Sequence, residues 1–267
     1  MLGGQVSVAQ TDALAGTWEL AIGGRDGGIA YVTFDGPSMT GYGITRAYFM
    51  PFTILGTRTG TLGAFVCDYS ADLSGSTDSN YCEVIRVEEY INYVSPHPFA
   101  GTLTGVADAD KLKATIDARG ISPVKGTRPT TMPDLSGTWS GVVKCTTLWL
   151  TITTPPAGCP VTPLTPFKKS ILASETWTIT PTAGRPGSFD ITGDGSVLSN
   201  SFVVTGTAIV NSHNRLTGFV QVDFGPIGLV FHNFSGKVNP QKGTLKIKGF
   251  DTHHGVLGKI SGQLTRE

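Results

Sequence analysis

The pentapeptide Leu14-Ala15-Gly16-Thr17-Trp18 returns in the second half of the chain as Leu135-Ser136-Gly137-Thr138-Trp139. Self-similarity at this distance implies that one structural unit is built twice. Two more pairs recur in the same order. Thr40-Gly41-Tyr42-Gly43-Ile44 is answered by Thr205-Gly206-Thr207-Ala208-Ile209, and Pro98-Phe99-Ala100-Gly101-Thr102-Leu103 by Pro240-Gln241-Lys242-Gly243-Thr244-Leu245. The spacings differ, so each half must hold its own insertion. The extra length follows the second motif in the first half and precedes it in the second.

What is repeated is β structure. Leu245 and Ile247 alternate with Thr244, Lys246 and Lys248; Val220, Val222 and Phe224 alternate with Phe219, Gln221 and Asp223. A period of two marks half-buried antiparallel strands. Glycine, 35 of 267 residues, supplies turns at Asp35-Gly36-Pro37 and Asp194-Gly195. Asp108 to Gly120 fits a helix or a strand, and the strand reading matches the end of the second half. The expected fold is all-β: two tandem antiparallel β-barrel or β-sandwich domains related by a degenerate internal repeat. An N-terminal tail occupies 1–13 and an acidic domain 14–120. Residues 121–134, with three prolines, read as a linker, and a basic domain covers 135–267. No run of about 18 apolar residues provides a spanning helix.

The two Gly-Thr-Trp openings resemble the Gly-x-Trp of calycin barrels, the lipocalin and avidin group. The resemblance covers five residues of each half. It implies that Trp18 and Trp139 close one end of a barrel beneath a ligand cavity, and it carries no ligand residues with it.

Charge divides along the chain. Residues 1–120 carry 7 Lys+Arg and 13 Asp+Glu, a net of −6; residues 121–267 carry 13 and 7, a net of +6. Such asymmetry favours oriented docking on a protein partner and argues against a dedicated nucleic-acid binder, which needs a continuous basic face. Cys67 and Cys82, and Cys145 and Cys159, fall as two local pairs inside the insertions, the pattern of two loop-pinning disulfides. Disulfides, with the small residues Val8-Ala9-Gln10 that resemble the end of a signal peptide, place the protein in the periplasm or outside the cell.

Chemistry-bearing patterns are few. There is no nucleophile elbow, phosphate loop or zinc-protease motif. Gly23 to Gly28 reads as a hairpin turn. Glu89 sits among Ile85, Val87, Ile91 and Tyr93 on one strand face, where a carboxyl would have a raised pKa and serve as an acid. His232, with His253, His254 and Asp251, forms the alternative metal or catalytic set. Tyr48, Phe49, Met50 and Phe52 make an aromatic edge of the kind found at interface cores; Pro51 keeps it from a central ladder. The leading expectation is a non-catalytic extracytoplasmic interaction or structural protein without a cofactor, an accessory subunit docking on a larger envelope or membrane-associated assembly. A carrier of a small apolar ligand is the second reading, and an enzyme using Glu89 or the histidines the third.

Overall fold

The computed structural model describes residues 12–24, 27–45, 51–60, 64–73, 99–117, 121–148, 170–225, 229–253 and 256–267. They form two closed, eight-stranded antiparallel barrels in tandem. The first runs through β1 (Gly16–Ile22), β2 (Gly28–Asp35), β3 (Ser38–Thr45), β4 (Pro51–Thr59), β5 (Ala64–Leu73), β6 (Phe99–Ala107), β7 (Lys111–Asp117) and β8 (Ile121–Thr127). Each strand pairs with the next and β8 closes on β1. The second runs through β9 (Gly137–Leu148), β10 (Ser170–Pro181), β11 (Ser188–Val197), β12 (Asn200–Val210), β13 (Arg215–Asp223), β14 (Leu229–Asn239), β15 (Thr244–His253) and β16 (Val256–Arg266), which closes on β9.

The alternation seen in the sequence becomes the wall of each barrel. Trp18, Leu20, Ala30, Val32, Phe34, Met39, Phe52, Ile54, Phe65, Leu103 and Leu112 fill the first lumen. Trp139, Val143, Trp177, Ile191, Phe202, Val204, Val220, Phe234, Ile247 and Ile260 belong to the core of the second. Register fixes the second barrel's shape. From Ile179 the paired row passes through Ile191, Gly206, Val220, His232, Asp251 and Gly258 to Thr147. Yet Ile179 also pairs directly with Gly137 on the same β9. One circuit therefore climbs from 137 to 147 along β9, a stagger that tilts the strands. An eight-stranded barrel of this kind has an interior that side chains can fill or that holds one small ligand. Gly206 meets the curvature this demands: a Cβ there would lie 2.1 Å from the Phe219 carbonyl on the adjacent strand.

Both barrels are shut at one end by the same device. The Trp18 indole N–H donates to the Leu14 carbonyl at 2.7 Å, and Trp139 to Leu135 at 2.8 Å. Leu14 and Leu135 are fully buried beneath the rings. Asp12 Oδ1 accepts from the Leu14 N–H, and Asp134 Oδ1 from the Ser136 N–H. The residue after β8, Arg128, lays its guanidinium over Trp18 at 3.9 Å and donates to the Ala13 carbonyl at 2.8 Å. Arg266, at the end of β16, lies over Trp139 at 5.5 Å and donates to the Ser136 carbonyl. The end-closing tryptophans implied by the Gly-x-Trp resemblance are thus present in both barrels. Gly16 and Gly137 take φ of +89° and +119° to start these strands, a region that side chains other than glycine enter at a cost. The end of β5 and the start of β6 lie at the opposite end of the first barrel, and the end of β9 and the start of β10 at the opposite end of the second.

Four expectations need correction. The linker does not begin at Ile121: Ile121–Thr127 is β8, and the connection between barrels starts at Arg128. Pro123 is tolerated because it lies one residue past the paired stretch of β1, which ends at Ile22 opposite Val124; its carbonyl accepts from the Gly23 N–H at 2.8 Å. Asp194-Gly195 is no turn but part of β11. The turn is Leu198-Ser199, both with positive φ, as a two-residue hairpin requires. Gly195 is instead where the Phe202 ring lies, 2.3 Å from any added Cβ. The second and third repeat pairs fall one strand out of step, on β3 and β12 and on β6 and β15, the third and fourth strands and the sixth and seventh of their barrels. Only Gly-Thr-Trp marks equivalent positions. Finally, Cys67 is a buried thiol outside any disulfide, and Cys145 is likewise buried. Alternation turns Cys67 into the lumen beside Phe65 and Cys145 beside Val143, and burial pushes the Cys67 thiol up to about 11. The expected bridges to Cys82 and Cys159, which lie outside the described residues, gain no support. The strand reading of Asp108 to Gly120 holds in β7.

Candidate functional site

Inside the second barrel, β10 presents Ala173, Glu175, Trp177 and Ile179 inward. Glu175 is therefore a carboxyl on an apolar face, 2% exposed. Its Oε2 accepts from the Trp177 indole N–H at 2.8 Å, while its Oε1 has no hydrogen-bond partner. Burial, only partly offset by the Trp177 bond, raises its pKa from 4.5 to about 7. The paired residues on the two flanking strands are Gly141 and Gly195, so neither neighbour places a side chain beside it on its own row.

The strand opposite, four places round the wall, is β14. Trp177 and Phe234 meet across the lumen with ring centroids 5.5 Å apart. Glu175 and His232 are each the next inward residue away from the Trp139 end. The aromatic pair is thus a floor, with an acid and an imidazole on facing walls above it. His232 is fully buried, and burial depresses its pKa to about 4, so the ring is neutral at physiological pH. Phe202 and Phe224, 5.0 Å apart, line the wall between.

The residues expected from sequence are distributed differently. Phe52 points into the first barrel and is 4% exposed, so it is core rather than a docking edge; Tyr48, Phe49 and Met50 lie outside the described residues, as does Glu89. His232 pairs directly with Asp251 across β14 and β15. His253 is two residues further along β15 and His254 lies outside the described residues. Among the described residues no group of three His, Cys, Asp or Glu side chains is placed to hold a metal. Glu175 escaped notice although the rule applied to Glu89 finds it: it interrupts an alternating apolar face.

The outer face of β1–β3 carries a second buried polar cluster. Glu19 is buried there by the other barrel, accepting from the Ser212 N–H at 2.8 Å and the Ser212 hydroxyl at 3.1 Å. The Tyr31 hydroxyl gives its proton to the Val210 carbonyl at 2.7 Å, with Glu19 Oε2 at 3.3 Å. Tyr42 donates to the Pro186 carbonyl at 2.6 Å. Ile29, Tyr31, Ile44 and Ile209 form the apolar part of this junction. Its chemistry is that of an interface between domains.

The class defined by the fold is that of tandem eight-stranded antiparallel β-barrels, each plugged at one end by Trp and Arg. No family model matches the chain, and no curated protein matches it. Among solved structures, a redesigned β barrel, mFAP1, determined bound to DFHBI, is similar at a TM-score of 0.34 and 18% identity, over 49% of this chain and 94% of that one.

Proposed function

We propose that the protein is a non-catalytic binding protein whose second barrel receives a small aromatic molecule bearing a hydrogen-bond donor, an amine above all. The observation that carries this is the lone Oε1 of Glu175. A buried polar atom without a partner costs roughly 1–3 kcal/mol, and a ligand donor would remove that cost. The Trp177–Phe234 floor suits a ring, and an ammonium entering the lumen would find in Glu175 the charge it needs when stripped of water. An extracytoplasmic location goes with the proposal, supported by the Val8-Ala9-Gln10 pattern and not by cystines.

Native mass spectrometry and thermal melting in the presence of benzylamine, with benzoate as the anionic counterpart, test it. Benzylamine should bind and raise the melting temperature; benzoate should do neither. Glu175→Leu should weaken benzylamine binding by roughly ten- to a hundredfold, the loss of a charge-assisted hydrogen bond. Binding of neither compound, or binding that Glu175→Leu leaves intact, would refute the proposal.

A further inference from the structure

The cationic residues of the second barrel gather on one wall. Arg215, Lys237 and Lys246 sit directly opposite one another across β13, β14 and β15. In the next row Lys248 pairs with Ser235 and Ser261, and Ser261 pairs with Lys144. Lys259 lies two residues from Ser261 on β16. All six project outward and are exposed. The positions between them are Ser235, Ser261, Gln263 and Thr146. Among the described residues, no outward-facing carboxylate occurs on β14, β15, β16 or β9. Like charges directly opposite on neighbouring strands are destabilising, so this row is an arrangement that folding alone does not favour.

We infer that this wall docks the protein on an anionic lipid surface. Strands lie about 4.8 Å apart, which spreads the six charges over roughly 15–20 Å of convex barrel wall. Five of the six are lysines, compact point charges rather than the forked guanidinium that grips a single phosphate. A spread of exposed lysines addresses a spread of negative charge, as in polybasic segments at acidic membranes. Beside them, Leu172, paired with Lys144, is 63% exposed, and Val142 on the same face is 47% exposed. Apolar side chains flanked by lysines suit the boundary between headgroups and acyl chains. A nucleic-acid strand would ask for a groove with stacking rings; of the described aromatic side chains on this wall, Phe219 is buried against the first barrel and Phe250 is half-buried. The acidic first half, net −6 by the count above, would orient the molecule with the second barrel toward the lipid.

The test is sedimentation of the full chain with vesicles of phosphatidylcholine containing phosphatidylserine, against phosphatidylcholine alone. The chain should bind only the acidic vesicles at about 0.1 M salt and dissociate towards 1 M, where the screening length falls to about 3 Å. Lys246→Glu with Lys248→Glu should reduce binding about a hundredfold or more. The same charge change at exposed Lys111 and Lys113 on the first barrel should leave it unchanged. Leu172→Ser should weaken binding several-fold while leaving the salt dependence in place. Absence of binding to acidic vesicles, equal loss in the Lys111/Lys113 pair, or a single-stranded oligonucleotide that binds through Lys246 and Lys248 more tightly than the vesicles do would each overturn the inference.

Discussion

Glu175 and His232 pull the pH dependence of folding in opposite directions. Glu175, raised from 4.5 to about 7, keeps its proton in the folded chain over a window where the unfolded chain has lost it. Its contribution to stability therefore falls as pH rises from about 4.5 to 7. His232, lowered from 6.5 to about 4, is unprotonated in the folded chain where the unfolded chain holds a proton. Its contribution rises with pH from about 4 to 6.5. Each shift corresponds to about 3 kcal/mol at full extent. Over the shared window the two nearly cancel. Urea denaturation of Glu175→Gln against the natural chain should show a gap that opens in the variant's favour between about pH 4.5 and 7, by up to about 3 kcal/mol; a gap that stays constant with pH would show that Glu175 is ionised in the lumen. The sequence allowed Glu175 to be found, because an acid at an apolar position of an alternating strand is visible in one dimension. It did not allow Glu19 to be found. On β1, Glu19 occupies an ordinary outward position between Trp18 and Leu20, and its burial comes from a turn of the other barrel nearly two hundred residues away.

At the scale of the strands, Gly-Thr-Trp was legible because the motif is local, whereas the arginine that covers each tryptophan lies at the far end of its barrel in sequence. Arg128 and Arg266 hold the plug by stacking and by bonds to carbonyls that the chain's entry leaves open. Stacking of this kind contributes about 1 kcal/mol, and a charged hydrogen bond somewhat more. Arg128→Ala should therefore destabilise the first barrel by about 2–3 kcal/mol, and Arg266→Ala the second by a similar amount. Hydrogen exchange would separate them: slowly exchanging amides of β1 and β8 should speed up in the first variant, those of β9 and β16 in the second. If exchange rose equally in both barrels for either variant, the plug would not be a local device. The weaker repeat motifs misled for a related reason. Short Gly-Thr-apolar strings suit any strand of a coiled wall, so their order along the chain carried little about which strand they occupy. Pro123 misled through a rule that is sound for central ladders but not where one edge of the strand has run past its partner, as β8 has past β1 while still paired with β7.

For the molecule as a whole, the question is whether two barrels behave as one. The junction is apolar at Ile29, Ile44 and Ile209, and across it Tyr31 is matched to the Val210 carbonyl and Ser212 to Glu19. Such an interface couples unfolding of its two sides, so the natural chain should give one calorimetric transition. Gly187 sits at the centre of it. It has φ of +74°, and a Cβ there would lie 2.7 Å from Met132 Sδ, 2.8 Å from Tyr31 Oη and 2.8 Å from the Val210 carbonyl. Gly184, in the same turn, has φ of +71° but nothing within 4 Å of an added Cβ. The two glycines share backbone strain and differ only in what stands against them. Gly184→Val should lower the stability by an amount typical of a strained φ, of order 1–3 kcal/mol, with a lower transition temperature and still a single transition. Gly187→Val adds a wedge between the barrels and should split the transition in two, with the plugs of both intact. Two transitions in the natural chain, or in Gly184→Val as well, would mean that the junction joins the barrels without coupling them. In that case a ligand in the second lumen could not stabilise the first barrel. In the coupled case, benzylamine should raise the melting temperature of both barrels in the natural chain and of the second alone in Gly187→Val.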